Sequence, residues 1–572
     1  MRYSTWDVAG FDRDKAVEFY NHDVNPLVSV FLASRAKSFP DLKAVQEVTG
    51  VAPIKINDPF LMADMEKAVH RIKGAVENGE RIAVYGDYDV DGMTASAVFA
   101  LWLRSKAADF EIYIPGRFDE GYGLNTKALD TLKANGVELV VTVDCGITAI
   151  EEARYAKEIG LELVITDHHE CRDVLPEAYA VIDPKRSDCN YPCKTLAGVG
   201  IAFKLVNALE GDYLSEEIFR KYSEFVAVGT VADVMPVDEE NRELIRQGLS
   251  ILNTSPSPGL RCLINDVNVE PGKVTASTIG FLLAPRLNAA GRMGQSDLSV
   301  RLLLTESFEE SEKLSAELCN LNSERRRLEQ GIYDEAVSML SETAPDSPIV
   351  LASSGWHQGV AGIVASKIAE RYQLPAVIIS IDEDGSGHGS CRSYGSFGIY
   401  SALCSCEDIL VDYGGHDKAA GITVMEENID LLRQRITEYY NNFYSGRADG
   451  IPGTVLELDF EVEKPELLTI ENIQELERLE PFGHNFPSPR ISIYDAEVLS
   501  VLSIGAGKHS KIKLRKSGKV LECIFFSVPS GDLGVREGMA ADIAFEPQIN
   551  EFRGRSSVQL QLFDIRASNT AE

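Results

Sequence analysis

Residues 81–106 read RIAVYGDYDVDGMTASAVFALWLRSK: a short apolar run, aspartates at the alternate positions Asp87, Asp89 and Asp91, then a long stretch of helix-forming residues. A strand that is apolar on both faces and runs through a tight turn into a helix is the building unit of a parallel sheet. The rhythm continues outward from it. FEIYIP (110–115), ELVVTVD (138–144) and LELVIT (161–166) read as further strands. TKALDTLKANG (126–136), closed by Gly136, and TAIEEARYAKEIG (148–160) read as the helices between them. The alternation predicts a doubly wound α/β domain over residues 51–306, preceded by an N-terminal extension, 1–50. Ligands of such a sheet sit at the carboxyl ends of its strands.

Further along, SFEESEKLSAELCNLNSERRRLEQGIYDEAVSMLSE has helical apolar spacing and predicts a long connecting helix over 307–343. A second α/β domain, 344–445, opens at SPIVLASS, with VAGIVASKIAERY as helix and PAVIIS as strand. YSGRADGIPG (444–453) reads as a linker. Short alternating strands with Gly, Pro and Ser turns then predict an OB-like β-barrel over 453–567.

The 572 residues carry a net charge of −32. That argues against broad coating of nucleic acid, while leaving room for a local basic channel or a carboxylate-rich metal site. Ten cysteines lack zinc spacing and read as reduced thiols, which fits the cytoplasm. No run approaches the roughly 18 apolar residues of a membrane span, and Asp7, Asp12 and Asp14 interrupt what a signal peptide would need. A soluble, non-secreted protein is the expectation.

The chemistry lies in where the acids fall. Asp87, Asp89 and Asp91 follow one strand, Asp144 ends another, and Asp167, His168 and His169 end a third. Parallel strand ends share one rim, so these side chains converge. An isolated Asp after a strand is usually a turn former or helix N-cap, as Asp91 or Asp167 could be; three coincident strand ends with paired histidines call for more. Carboxylates crowded without cations cost several kilocalories per mole, which divalent ions remove. Carboxylate plus neutral imidazole suits Mn²⁺ or Mg²⁺, and a shared carboxylate suits a two-metal centre, which hydrolyses phosphodiesters with no covalent nucleophile. Cys145, beside Asp144, reads as strand packing.

DYDVDG (87–92), VTVDCG (141–146) and TDHHE (166–170) resemble, in order and spacing, the first three motifs of the DHH phosphoesterase superfamily, and EFVAVGTVADVMP (224–236) resembles a fourth. APRLNAAGRMG (284–294) and GGHDKAAG (414–421) are similar to motifs of its RecJ exonuclease branch, and WHQGVAGIVASKIAERY (356–372) to the DHH-associated second domain. The resemblance implies that Asp89, Asp91, Asp144, His168 and Asp233 ligate two divalent ions, Mn²⁺ or Mg²⁺, with Asp144 as the bridge. It implies that His169 contacts the scissile phosphate or positions the attacking water, and that Asp167 holds an imidazole tautomer. Asp87 is either a ligand or a neighbour of one. Relatives with DYDADG often carry a ligating His where this chain has Tyr85, so the first ion is held more loosely or completed by Asp87 or water.

For substrate, Arg117 follows a strand end on the same rim, and Arg286, Asn288 and Arg292 lie in the RecJ-like stretch. Ser390 and Arg392 resemble residues that grip a terminal phosphate, and His416 follows two glycines that let backbone approach one. In the C-terminal module Lys508, Lys511, Lys513, Arg515, Lys516 and Lys519 occur with no carboxylate between Glu497 and Glu522. Lys511, Lys513 and Arg515 alternate onto one strand face, which with Phe545 and Phe552 suits single-strand binding; an edge strand kept soluble by lysines is the alternative. The expectation is a metal-dependent 5′→3′ exonuclease that degrades single-stranded DNA to mononucleotides in recombination and repair. It would act as a monomer on a 5′ end, away from membranes, with a helicase and a single-strand-binding protein as partners. A DHH phosphodiesterase for short oligoribonucleotides or cyclic dinucleotides, and a non-catalytic replication scaffold, are the alternatives.

Overall fold

The computed structural model describes residues 3–118, 120–121, 123–211, 214–340, 345–445, 454–552 and 554–568. The chain forms two compact units, one of Met1–Ile56, Pro236–Arg246 and Gly453–Glu572, the other of Asn57–Met235 and Gln247–Pro452. Strand β1 (Thr5–Val8) belongs to the first.

The second unit contains the expected doubly wound domain. Strands β2 (Ile82–Tyr85), β3 (Phe110–Tyr113), β4 (Leu139–Val143), β5 (Glu162–Thr166) and β6 (Ala180–Ile182) form a sheet in the order β3-β2-β4-β5-β6, every pairing parallel. β2 and β4 are buried along their whole length, which is why they read as continuous apolar runs. Ala83, Tyr85, Val140 and Leu163 pack under the helices Thr126–Ala134 and Ile150–Glu158. The opposite face meets the helices Val90–Ser105 and Gly198–Glu210. Val90–Ser105 is buried almost all round, and the helix Glu216–Ala232 packs against it as well.

The helix Phe308–Met339 is the expected connector. The Ser307 hydroxyl caps it by accepting from the Glu310 N–H at 3.3 Å, and Leu314, Leu318 and Leu321 bury one stripe. Strands β7 (Ile349–Ser353), β8 (Ala376–Ile381), β9 (Ser386–Arg392), β10 (Leu410–His416) and β11 (Ala419–Met425) follow, in the order β10-β11-β9-β8-β7. Only β7 and β8 are parallel. The helix Gln358–Tyr372 packs on β8 and β9. Residues 446–453 of the expected linker lie outside the described residues.

In the first unit, β12 (Val455–Leu458) is followed by β13 (Phe460–Glu461), β14 (Ile491–Ile504), β15 (His509–Lys516), β16 (Lys519–Phe525), β17 (Ala540–Phe552) and β18 (Arg555–Ala567), and β13–β18 form the barrel sheet. β14 pairs with both β15 and β17, and β16 with β18, which closes five strands on themselves. β1 pairs in parallel with β12. The Arg35 guanidinium grips Asp459 through two bonds, 2.8 and 3.0 Å, and Arg242 donates to the Pro481 carbonyl at 2.9 Å. N-terminal residues and the segment 236–246 thus belong with the barrel. Among the described residues, no helix is long and apolar enough to cross a membrane.

Candidate metal centre

The parallel sheet brings its acids together as the strand pattern requires. Asp89 caps the helix Val90–Ser105: its Oδ1 accepts from the N–H groups of Asp91 and Gly92 at 2.9 and 3.1 Å. Asp91 is tied across to the start of the helix Gly198–Glu210, accepting from Gly198 N at 2.7 Å and Val199 N at 2.8 Å. Asp144 leaves β4 in a left-handed conformation, φ +63°, which a branched carbonyl side chain tolerates at a cost of about 1 kcal/mol. A Cβ on Gly198 would lie 2.4 Å from Asp144 Oδ1, so only glycine lets that helix approach so closely.

His168 Nε2 points into the acids, 3.1 Å from Asp144, 3.6 Å from Asp233 and 3.8 Å from Asp91. Three groups of possible ligand atoms each lie within 4.8 Å of one another: Asp87, Asp89 and Asp144; Asp91, His168 and Asp233; Asp144, His168 and His169. Asp144 is shared between the Asp87–Asp89 side and the His168 side.

Electrostatics shows what this assembly lacks. Burial, then the charge of Asp89, pushes Asp87 up to about 8. Burial and the charge of Asp89 likewise raise Asp233 to about 7. Asp91 and Asp144 are held well above the carboxylate range by burial and then by neighbouring acids. Asp87 Oδ1 is buried without a hydrogen-bond partner. Burial, then His169, drops His168 to about 3, so its imidazole is neutral and a competent donor. Hard carboxylate oxygens, an orphaned one among them, with a neutral imidazole are a donor set that fits Mn²⁺ or Mg²⁺.

Asp167 does something different. Its Oδ1 meets His169 Nδ1 at 2.7 Å and accepts from the His168 N–H at 2.7 Å, while Oδ2 accepts from Ile147 N at 2.9 Å. Burial works against its ionisation, yet the His169 bond and charge hold it low. Burial would lower His169, but Asp167, with Asp233 and Asp91 beyond it, carries it to about 9. Asp167 therefore favours the protonated form of His169.

Tyr85 is not at the rim. Its hydroxyl donates to the Gly123 carbonyl at 2.9 Å and its ring stacks on Tyr113, on the helix-covered face. Cys145 is fully buried, its thiol pushed up by burial, which suits packing and not nucleophilic attack. Two neighbours escaped the sequence reading. Asp183 follows β6 as a further strand-end acid, fully buried, its Oδ2 unpartnered, pushed up to about 7 by burial. Lys185, paired with Glu170 at 3.1 Å, places a positive charge felt at His168 and Asp233. VIDPK carries the same strand-then-Asp form, but its strand is too short to announce itself.

The expected substrate cations separate into groups. Arg292 donates to the Gly359 carbonyl at 3.1 Å and is pulled down to about 10 by burial, then by Arg117, Arg325 and Arg392. These arginines form one cluster. Arg117 lies over the Tyr88 ring at 4.8 Å. Arg392 Nε donates to Ser366 Oγ at 3.1 Å, and a Cβ on Gly362 would meet both Arg392 and Ser390. His416 sits in the row of Arg392, with Ala419 between them, on the exposed β10–β11 hairpin. Arg286 folds back onto the Leu282 carbonyl at 2.7 Å, one turn away on its own helical segment. Asn288 is half-buried on the Ala284–Arg292 helix.

On the barrel, Ser510, Ile512 and Leu514 face inward and Lys511, Lys513 and Arg515 outward. The acids that bound the cluster in sequence pair with part of it in space. Lys511 and Lys513 pair with Glu522 at 2.9 and 3.3 Å, and Arg515 lies 3.5 Å from Glu497. Lys508 lies in the turn before β15. Phe545 is corrected: it is fully buried in the barrel core and offers no face for stacking. The Phe552 side chain lies outside the described residues.

Known proteins match this architecture along its length. The N-terminal domain of the DHH family matches residues 81–230, the DHHA1 domain 329–442, and the RecJ OB domain 458–564. The single-stranded-DNA-specific exonuclease RecJ of Bacillus subtilis is 39% identical, over 99% of this chain and 72% of the relative. That of Escherichia coli is 34% identical, over 95% and 96%. The chain belongs to the RecJ exonuclease family. A crystal structure of RecJ from Thermus thermophilus in complex with Mn²⁺ superposes with a TM-score of 0.81 at 28% identity, covering 99% of this chain and 80% of that one. A Mg²⁺ complex of the same enzyme gives 0.78. The RecJ assignment agrees with the resemblance carried by the sequence motifs, and with the α/β, connecting-helix and barrel architecture.

Proposed function

We propose that this chain is a metal-dependent hydrolase that degrades single-stranded DNA from the 5′ end to 5′-mononucleotides. The observation that carries this reading is the shared Asp144, set between two donor groups on a rim whose carboxylates are raised by burial and by one another, with arginines in the same unit. Asp87, Asp89 and Asp144 would hold one divalent ion, and Asp91, His168 and Asp233 with Asp144 the other. When bound, such ions acidify water and neutralise charge on a reacting phosphodiester.

The protein's own groups supply the rest. Asp167 engages His169 at Nδ1 and favours its doubly protonated form, so that Nε2–H would donate to a phosphate oxygen as negative charge builds there. Asp183 faces the charge of His169, and Lys185 sets the field around His168 and Asp233. Ser390, Arg392 and Arg292 would receive a 5′-terminal phosphate, and Arg117 a neighbouring one. Gripping the end in the 344–445 domain while cleaving in the 51–306 domain would set both direction and product size. The barrel's Lys508, Lys511, Lys513 and Arg515 would follow the trailing strand weakly, since Glu522 and Glu497 offset three of them. In this reading the protein works in the cytoplasm as a monomer in recombination and repair, on strands supplied by a helicase and coated by a single-strand-binding protein.

The test is cleavage of end-labelled, 5′-phosphorylated single-stranded DNA, beside matched duplex and RNA, under Mn²⁺, Mg²⁺ and EDTA. Mononucleotides released from the 5′ end with metal, and lost in Asp144→Ala, are expected. Cleavage restricted to very short oligonucleotides, or binding without cleavage, would overturn the reading.

A further inference from the structure

Arg325 was not among the residues singled out by the sequence. It lies buried on the connecting helix Phe308–Met339, its Nε donating to Asn322 Oδ1 at 3.2 Å and its Nη1 to Glu329 Oε2 at 2.6 Å. The other Glu329 oxygen is taken by Lys367 Nζ, at 2.5 Å, from the helix Gln358–Tyr372. That same helix receives Arg292 at the Gly359 carbonyl and lies against Arg392 and Ser390 at Gly362. The connecting helix packs against both this helix and the Ala284–Arg292 helix, and the Glu329 carboxylate is divided between Arg325 and Lys367. Arg292 feels the charge of Arg325 alongside those of Arg117 and Arg392.

Like charges buried with too little counter-charge bind an incoming anion more tightly than the same groups neutralised in place, because the anion relieves their repulsion. A doubly charged terminal phosphate gains more from this than a backbone diester does. We infer that Arg325 is a positioning residue for the terminal-phosphate site, raising the positive potential at Arg292 without touching DNA, and that Glu329 tunes how much of that potential the phosphate meets. The inference rests on the reading that Arg292, Ser390 and Arg392 receive a 5′-phosphate.

Opposite responses of two variants test it. Steady-state kinetics of the full-length protein would be measured on single strands carrying a 5′-phosphate or a 5′-hydroxyl, at several salt concentrations. Arg325→Met is expected to raise KM for the phosphorylated strand about tenfold, with kcat and the hydroxyl strand little changed. Arg325→Lys should restore most of the loss. Glu329→Gln, which leaves the positive charges less compensated, should lower KM for the phosphorylated strand by several-fold. A merely structural ion pair instead predicts that both variants weaken both substrates alike, and that result overturns the inference. Should Arg325→Met not fold, by its melting transition, Glu329→Gln alone decides: only an electrostatic role lowers KM there. Arg392→Ala separates the two claims. If it retains the preference for phosphate, the terminal-phosphate site itself is wrong. If it loses the preference while the Arg325 and Glu329 variants do not move in opposite directions, only the role of Arg325 falls.

Discussion

The acid rim of the sheet and the lysine strand of the barrel are both clusters of like charge written at alternate positions, yet the fold treats them oppositely. On β15 the positive charges are answered across the strand, Lys511 and Lys513 by Glu522 and Arg515 by Glu497. On the rim the carboxylates crowd one another and are driven by burial toward their protonated forms. Paired charge at a surface contributes little and mostly keeps a strand soluble. Acids crowded into a buried site, with their pKa values raised, are sustained for a ligand that completes it.

The contrast is broken most sharply at Asp144. Replacing it with Ala removes the carboxylate common to both donor groups, and nuclease activity should fall by at least about a thousandfold in a single-turnover assay. In EDTA the same rim carries excess repulsion, so Asp144→Asn should melt above the parent, by several degrees if about 1–2 kcal/mol is relieved. On the barrel, Phe545→Ala should cost about 3–5 kcal/mol in the unfolding of that unit, followed by denaturant titration, because the ring fills its core. A stacking residue would instead lose DNA affinity with stability intact.

pH sharpens the comparison further. The rim carboxylates have folded pKa values raised above their unfolded ones. The unfolded chain ionises first, so the metal-free protein loses stability as pH rises from about 4 through about 8. Below that window both states are protonated and nothing is lost. Melting curves in EDTA should therefore decline from pH 5 to pH 8, and the gain conferred by Mn²⁺ should widen over the same range. The smallest effect is expected at the lysine strand. Glu522→Gln frees Lys511 and Lys513 and should tighten single-strand binding only a few-fold, with the salt dependence steeper by about one charge.

Much of this was legible in the sequence because the rim obeys a local rule: an apolar strand, then an acid. That rule found Asp87, Asp144 and Asp167 and placed their neighbours, and parallel topology did the gathering. It missed Asp183 because β6 is three residues long, too short for periodicity to mark. The paired lysines were hidden for another reason. Glu522 ends the carboxylate-free stretch in sequence, but the β15–β16 register sets it directly opposite Lys513. Phe545 was misplaced because alternation tells that two faces differ, not which of them closes inward in a barrel. The union of residues 1–56 and 236–246 with the barrel rests on bonds such as Arg35–Asp459 and Arg242–Pro481, between residues hundreds of positions apart, and no local pattern encodes them.

The most direct measurement is anomalous diffraction at the manganese edge from crystals grown with Mn²⁺. Two peaks are expected, one bounded by Asp87, Asp89 and Asp144, the other by Asp91, His168, Asp233 and Asp144. A rim without anomalous density, with the carboxylates bonded to one another through shared protons, would contradict a site built to hold two divalent ions.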